Sequence, residues 1–299
     1  MIVQSISAGL GNQMFKYASA RALSLREGTP LYLDVSYFRK KGLRDYGLDN
    51  LVLSKDVHLL QEHPLYNSLC NLKRWFYTMR IKLAGVQTDD SESIRKYAEK
   101  GFFYFTGRNY IEPVYKNRFI NYYSGIFQSE RYFSDYAEII KRELKVAAKV
   151  SDACIKLAQR MQNENSVCVH IRRGDYLKNP FYNVCQQDYY ESAMRIIYER
   201  VENPQFFFFS DEPSWVAEHY SGANNHVIDM GNKDYEDLFL MYHCKHFIIP
   251  NSTFSWWGQY LSDNPAKIVV APEKWYNGLP QSATDIYMDT WIKIPVHTE

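Results

Sequence analysis

The stretch "SVCVHIRRGDY", Ser166–Tyr176, runs as an unbroken apolar strand into two adjacent arginines, a glycine and an aspartate. It opens a series. "DYYESAMRIIYERV" follows with helical periodicity, its Asp188 and Glu191 spaced as a capping box. "QFFFFS" reads as a strand, and "DEPSWVAEHY" starts a helix with acidic residues at its N-terminus. "NHVIDM" and "HFIIP" are further strands, followed by the helices "DYEDLFLMYHC" and "STFSWWGQYL". "KIVVAP" closes the series as a fifth strand. Alternating strands and helices of this kind predict an open parallel sheet.

Working outward, the N-terminal end starts the same way. "MIVQSI" is β-prone and "SAGLGN" breaks it. "NQMFKYASARALSLRE" places Phe15, Ala18, Ala22 and Leu25 on one helical face, and "LYLDVSYF" is a second strand. Strand, glycine turn, helix, strand is the opening of a second Rossmann-like unit. Residues 37–150 are rich in Tyr, Arg and Lys with weak periodicity, and are expected to form an irregular, mostly helical remainder of that unit. A chain of 299 residues suits two domains, expected at 1–155 and 156–299. The class is therefore α/β.

The formal net charge of +1 leaves no broad basic field for nucleic acid, so any anion site must be local. The five cysteines, Cys70, Cys154, Cys168, Cys185 and Cys244, are scattered and never paired as CxxC. That reads as reduced thiols, not a disulfide frame or zinc site. The N-terminus lacks a signal-peptide pattern, and no apolar run approaches the ~20 residues of a membrane span. A cytoplasmic protein is the expectation, and peripheral membrane contact is compatible with it.

In open α/β sheets ligands bind at the carboxyl ends of the strands. The polar clusters "HIRRGD", "SDEPSW" and "PNSTFSWW" all fall there. If the first strand persists, His170 and Arg172 share a face and Arg173 points to the other. The planar guanidinium matches phosphate oxygens, but the motif alone serves a structural pair with Asp175 equally well. Asn251–Ser255 supplies more hydroxyls than one N-cap needs, which suggests an anion on the helix dipole. Of Trp256 and Trp257, one reads as core and the other as a border of the site. Asp211 reads as an N-cap. Asp237 is an ordinary helix carboxylate, unless it reads a base such as guanine. Gly9 and Gly11 give a partial glycine motif, with Met14 at the last glycine position, and Asn12 is a cap or a ligand contact. The chain has no DxD, HExxH, GxxxxGK[ST] or GxSxG motif.

"GLGNQMFKYASARAL", "VCVHIRRGDY" and "CKHFIIPNSTFSWWGQYL" together resemble the signature blocks of the bacterial α-1,2-fucosyltransferases, glycosyltransferase family eleven. HxRRxD is also shared with α-1,6- and protein O-fucosyltransferases. The resemblance runs from the first strand to about Tyr276. It implies a GT-B fold with two Rossmann-like domains facing a cleft, residues 1–155 on the acceptor side and 156–299 on the GDP-fucose side. It implies inverting transfer of L-fucose from GDP-L-fucose to the 2-hydroxyl of a terminal galactose, with no metal and no cofactor besides the donor. A glycan acceptor carried on a lipid would bring the protein to a membrane surface. Arg172 would grip the pyrophosphate, His170 would sit beside the nucleotide, and Ser252, Thr253 and Ser255 would supply phosphate donors. Asp237 would match the guanine-reading carboxylate, and Gly9, Gly11 and Asn12 would form the facing loop. Asp175 is the candidate base and Arg173, beside it, a support. Two departures stand out: Ala8 where the block opens with glycine, and Lys16, expected to be exposed, where it has Gln. A fucosyltransferase of other linkage, α-1,6 or O-linked, and a non-catalytic nucleotide-sugar-binding module are the alternative readings.

Overall fold

The computed structural model describes residues 1–39, 44–85 and 89–296. The chain forms two compact units, Met1–Leu144 with Thr284–Ile286, and Lys145–Ala283 with the chain from Tyr287 on.

The first unit is built on β1 (Ile2–Ser5), α1 (Leu10–Glu27), β2 (Leu31–Asp34), β3 (Val57–Leu59), α2 (Pro64–Leu83), α3 (Ser91–Ala98), β4 (Phe102–Tyr104), β5 (Asn121–Ser124) and α4 (Ala137–Glu143). Its sheet runs β3-β2-β1-β5-β4 with every neighbouring pair parallel. The stretch 37–150 holds three of the five strands besides its helices α2, α3 and α4; its residues 40–43 and 86–88 lie outside the described ones. Pairing with their neighbours, not a regular alternation of strand and helix, makes β3, β4 and β5 strands: no α-helix separates β4 from β5.

Fourteen of the 18 residues of α1 are buried, including Lys16 and Arg21. The helix ends at Gly28, whose φ of +57° suits a residue without Cβ, and the Gly28 N–H returns to the Leu25 carbonyl. The Arg21 guanidinium donates to Glu143 at 3.0–3.2 Å, and the Tyr17 hydroxyl donates to the same carboxylate at 2.6 Å. These bonds fasten α1 to the end of α4. A buried charge is tolerated because it is paired and hydrogen-bonded.

The second unit comprises α5 (Asp152–Asn163), β6 (Ser166–Ile171), α6 (Gly174–Leu177), α7 (Gln187–Tyr198), β7 (Gln205–Ser210), α8 (Pro213–His219), β8 (Asn225–Val227), α9 (Asp234–Tyr242), β9 (His246–Ile248), α10 (Thr253–Leu261), β10 (Val269–Pro272) and β11 (Ile292–Ile294). The units divide ahead of α5, which packs on β6 and α9; a division after 155 would cut that helix. The sheet has six strands where five were expected, and β11 adds to the edge. All pairs are parallel. The order β8-β7-β6-β9-β10-β11 is the doubly wound 3-2-1-4-5-6 order, whose ligand crevice opens where the winding reverses. Here that point is between β6 and β9.

All six residues of β6 are buried, because helices cover both faces of a parallel sheet. Val167, Val169 and Ile171 pack with Tyr189, Tyr190, Ala193 and Ile197 of α7. Ser166, Cys168 and His170 alternate onto the other face. The capping box expected at Asp188 is absent: Gln186 is the N-cap, and Asp188 sits inside the first turn, accepting the Tyr189 N–H. Both Trp256 and Trp257 are fully buried, Trp256 stacked on Tyr260 and Trp257 edge-on to it, so both are core residues.

Candidate active site

β6 stops at Ile171, so the alternation that would send Arg172 and Arg173 to opposite faces no longer applies. Their partners separate them. Arg172 Nε and Nη2 donate to Asp175 Oδ1 at 3.0 and 2.6 Å, and Nη1 meets Asp211 Oδ2 at 3.1 Å. Its guanidinium lies 5.6 Å from the Tyr176 ring and is 24% exposed. Arg173 Nε donates to Glu212 at 2.8 Å, and its guanidinium stacks on Trp215 at 3.6 Å. Asp175 therefore holds Arg172, not Arg173. The i,i+3 spacing within the turn into α6 brings them together.

Asp211 is not the N-cap of α8; Glu212 is. Asp211 Oδ1 accepts the backbone N–H of Arg173 at 3.0 Å while its Oδ2 faces Arg172. A Cβ on Gly174 would come within 2.6 Å of that Oδ2, which accounts for glycine there. The sequence reading missed Asp211 as the second holder of Arg172. A signal for it lies in the register: Ile171 pairs with Ser210, so Arg172 and Asp211 are the next residues beyond on neighbouring strands.

His170 is 5% exposed, and its ring meets Phe254 of α10 at 6.0 Å. Burial first, then the Arg172 charge, lowers its pKa to about 3, so the imidazole is neutral at physiological pH. Its Nδ1 is buried with no hydrogen-bond partner among the described residues. An unmet buried polar atom costs about 1–3 kcal/mol, and marks a place where a partner is wanted.

Ser252 caps α10, accepting the Phe254 N–H at 3.3 Å, and the Ser255 hydroxyl donates to the Ser252 carbonyl. Two of the three hydroxyls are thus engaged in building the helix start. Thr253, half-buried at the first helical position, has no hydroxyl partner among the described residues. Asn251 Nδ2 donates to the carbonyls of Tyr182 and Trp275, and the Asn251 carbonyl accepts the Tyr176 hydroxyl at 3.3 Å. That last bond ties the Arg172 segment to the start of α10. His170, Arg172, Asp175 and Ser252–Ser255 therefore gather at the β6/β9 switch point.

Asp237 lies in the first turn of α9, which packs along α10. It accepts the Asn232 side chain at 2.9 Å, and burial raises its pKa to about 6. No contact joins it to His170 or Arg172 among the described residues. Both helices begin at the carboxyl edge of the sheet.

Gly9, Gly11 and Asn12 belong to the first unit. Gly9 caps α1 with ordinary extended backbone, Gly11 lies within the helix, and the Asn12 side chain accepts from Gln128 at 2.6 Å. The left-handed residue of this turn is Ala8, at φ +71°. Gln13, wholly buried, braces the turn: its Nε2 donates to the Ala8 and Asp45 carbonyls and its Oε1 accepts the Gly47 N–H. Lys16, expected to be exposed, is only 8% so. Its ammonium donates to the carbonyl and hydroxyl of Ser7, and burial lowers its pKa to about 8.

The family model described as Glycosyl transferase family 11 matches residues 76–295. An alpha-1,2-colitosyltransferase of Escherichia coli is 28% identical over 98% of this chain and 99% of its own length. The O-antigen biosynthesis glycosyltransferase WbnK, also of Escherichia coli, is 32% identical over 97% of this chain and 99% of its own. Among solved structures, the fucosyltransferase NodZ from Bradyrhizobium superposes with a TM-score of 0.54 at 14% identity, covering 89% of this chain and 96% of NodZ. A structure of NodZ as an alpha-1,6-fucosyltransferase co-crystallized with GDP gives 0.52 at 14% identity, over 86% and 91%. The NodZ likeness speaks for the fold alone, a GT-B type with two Rossmann-like domains.

Proposed function

Since this chain belongs to glycosyl transferase family 11, we propose that it transfers L-fucose from GDP-β-L-fucose to the 2-hydroxyl of a terminal galactose, inverting the anomeric centre. The observation that carries the reading is Arg172, clamped between Asp175 and Asp211 at the switch point and tied through Tyr176 to the start of α10. A permanent planar cation beside a helix N-terminus and an open Thr253 hydroxyl suits a pyrophosphate. The colitosyltransferase relative supports an α-1,2 linkage.

In this reading the fucosyl C1–O bond breaks through an oxocarbenium-like transition state, and GDP leaves with the bonding pair. Arg172, Thr253 and the α10 dipole answer the charge that grows on GDP, which favours the transition state over the ground state. The galactose O2 bonds to C1 from the opposite face. Its proton passes to Asp175, the half-solvated carboxylate beside the cation, whose other duty is to orient Arg172. His170 offers its unmet nitrogen to the nucleotide, and Asp237 with Asn232 faces the base. Arg173, held by Glu212 and Trp215, supports the loop. Gly9, Gly11 and Asn12 stand on the acceptor side. No metal or further cofactor takes part; Arg172 and the helix dipole stand in their place. The protein then works in the cytoplasm on a galactose-terminated glycan.

A second reading keeps the linkage and changes the donor to GDP-colitose, the sugar that lacks the 3-hydroxyl of fucose. Similarity to the colitosyltransferase over the whole chain favours it. The test is GDP release from each donor over a panel of galactosides with EDTA present, followed by linkage analysis. Release with GDP-fucose and an α-1,2 product is expected. Turnover only with GDP-colitose, an α-1,6 product, loss of activity with EDTA, or binding of GDP without any transfer would each overturn a stated part of the proposal.

A further inference from the structure

Helix α2 carries seven exposed large apolar side chains: Leu65, Leu69, Leu72, Trp75, Phe76, Met79 and Leu83. Leu65 is 70% exposed, Trp75 62% and Leu83 82%. Successive residues turn by about 100°, so these seven fall within an arc of about 120° along the whole helix. The opposite face is already used. There Cys70, Tyr77 and Ile81 pack with Val3, Phe102 and Tyr122. Folding has buried one apolar face and left a second in water.

The charges on α2 are one-signed. It carries Lys73, Arg74, Arg80 and Lys82 and no Asp or Glu. Arg74 turns inward to Asp34 at 3.1 Å, and Lys73 donates to the Lys100 and Ile120 carbonyls. Arg80 and Lys82 are exposed and flank the apolar strip on its two sides, with Arg80 over the Phe76 ring at 5.5 Å.

We propose that α2 is a membrane-surface anchor that lies flat on an anionic bilayer. The strip enters the interface, Trp75 sits at headgroup level, and Arg80 and Lys82 meet lipid phosphates. Charge decides the occupant. The 4-3-4-3-4 spacing of Leu65, Leu69, Leu72, Phe76, Met79 and Leu83 would also suit a partner helix. A second copy, however, brings the same basic helix and no acid to answer it, whereas an anionic lipid surface does. Among the described residues no helix is long and apolar enough to cross a membrane, so the contact is with the surface. The inference does not depend on which sugar or linkage the enzyme makes.

The experiment is co-sedimentation of the full chain with vesicles of phosphatidylcholine alone or mixed with phosphatidylglycerol. Binding to the mixed vesicles that weakens with salt is expected. The double variant Leu72→Glu/Phe76→Glu should bind at least about 100-fold more weakly, because two large apolar anchors are lost. Its turnover on a short soluble acceptor should stay unchanged. Arg80→Glu/Lys82→Glu, which leaves the strip intact, should lose the preference for anionic vesicles. Absence of binding to either vesicle, or undiminished binding by both variants, overturns the proposal. So does a wild-type dimer in light scattering that Leu72→Glu/Phe76→Glu splits, which would make the strip a seam between copies.

Discussion

Replacing Arg172 by Lys keeps a positive charge and removes the planar fork. In the folded protein that fork makes three bonds of 2.6–3.1 Å to carboxylates on two different elements, Asp175 of α6 and Asp211 after β7. A single ammonium reaches one of those carboxylates and no longer holds a fixed plane toward a diphosphate. At least one charge-assisted bond is lost, about 1.5–3 kcal/mol. That corresponds to a fall of about 10- to 150-fold in kcat/KM. On the proposed role the bond strengthens as GDP gathers charge, so kcat should fall more than KM rises. Arg172→Ala removes the cation outright and leaves two carboxylates facing the donor, so a loss of about 1000-fold or more is expected. Neither variant should unfold the protein, since partly exposed ion pairs contribute only about 0–1 kcal/mol. The assay is GDP release with GDP-fucose and a galactoside, alongside thermal unfolding. Turnover by Arg172→Lys within about threefold of wild type, a difference under 1 kcal/mol, would refute the role of the fork. Near wild-type turnover by Arg172→Ala would remove the site itself.

Ala8→Gly should stabilise the first unit: relief of a left-handed alanine is worth about 1–2 kcal/mol, and the added freedom of the unfolded chain takes back about 0.4–1 kcal/mol. Urea unfolding checks it, and a less stable glycine variant contradicts the φ of +71°. Gly174→Ala should push Asp211 off Arg172 and lower kcat/KM about tenfold, a change near 1.4 kcal/mol in barrier, with little effect on the melting temperature; unchanged kinetics would show that Asp211 is not needed. His170 has a folded pKa of about 3 against an ordinary 6.5, so between these values the unfolded chain binds a proton that the folded one refuses. Its contribution is complete above pH 6.5 and is lost as pH falls toward 3. On moving from pH 7 to 5, wild type should lose about 2 kcal/mol more than His170→Gln. Equal losses in urea titrations would mean that the imidazole is not buried as neutral.

Much of the second unit is legible in its sequence because its strands are covered on both faces. "SVCVHI" and "QFFFFS" are apolar without interruption, and that pattern survives without any knowledge of neighbours. β3, β4 and β5 are different: no regular alternation with helices surrounds them, β4 and β5 follow each other without an α-helix between, and pairing rather than pattern makes them strands. The site divides the same way. The motifs at the ends of β6 and β9 are local, and topology gathers them. The bond between Arg172 and Asp211 depends on register between two strands, so no local spacing announces it. The burial of Lys16 is not legible in the local pattern either. Lys16 shares one arc of α1 with Gln13, Arg21 and Ser24, which by pattern would face water, yet tertiary packing buries all four.

The clamp on Arg172 has a consequence for which anions can compete for it. Its guanidinium is already answered by two tethered carboxylates, whose effective concentration exceeds that of any small anion in solution. Inorganic phosphate, with only its charge to offer, competes poorly against them. On the proposed function a nucleotide sugar would be gripped at its base, ribose and sugar as well, and these further grips would let its diphosphate displace a neighbour that is held only by the chain. On that reading the cation is reserved for ligands large enough to be recognised elsewhere first.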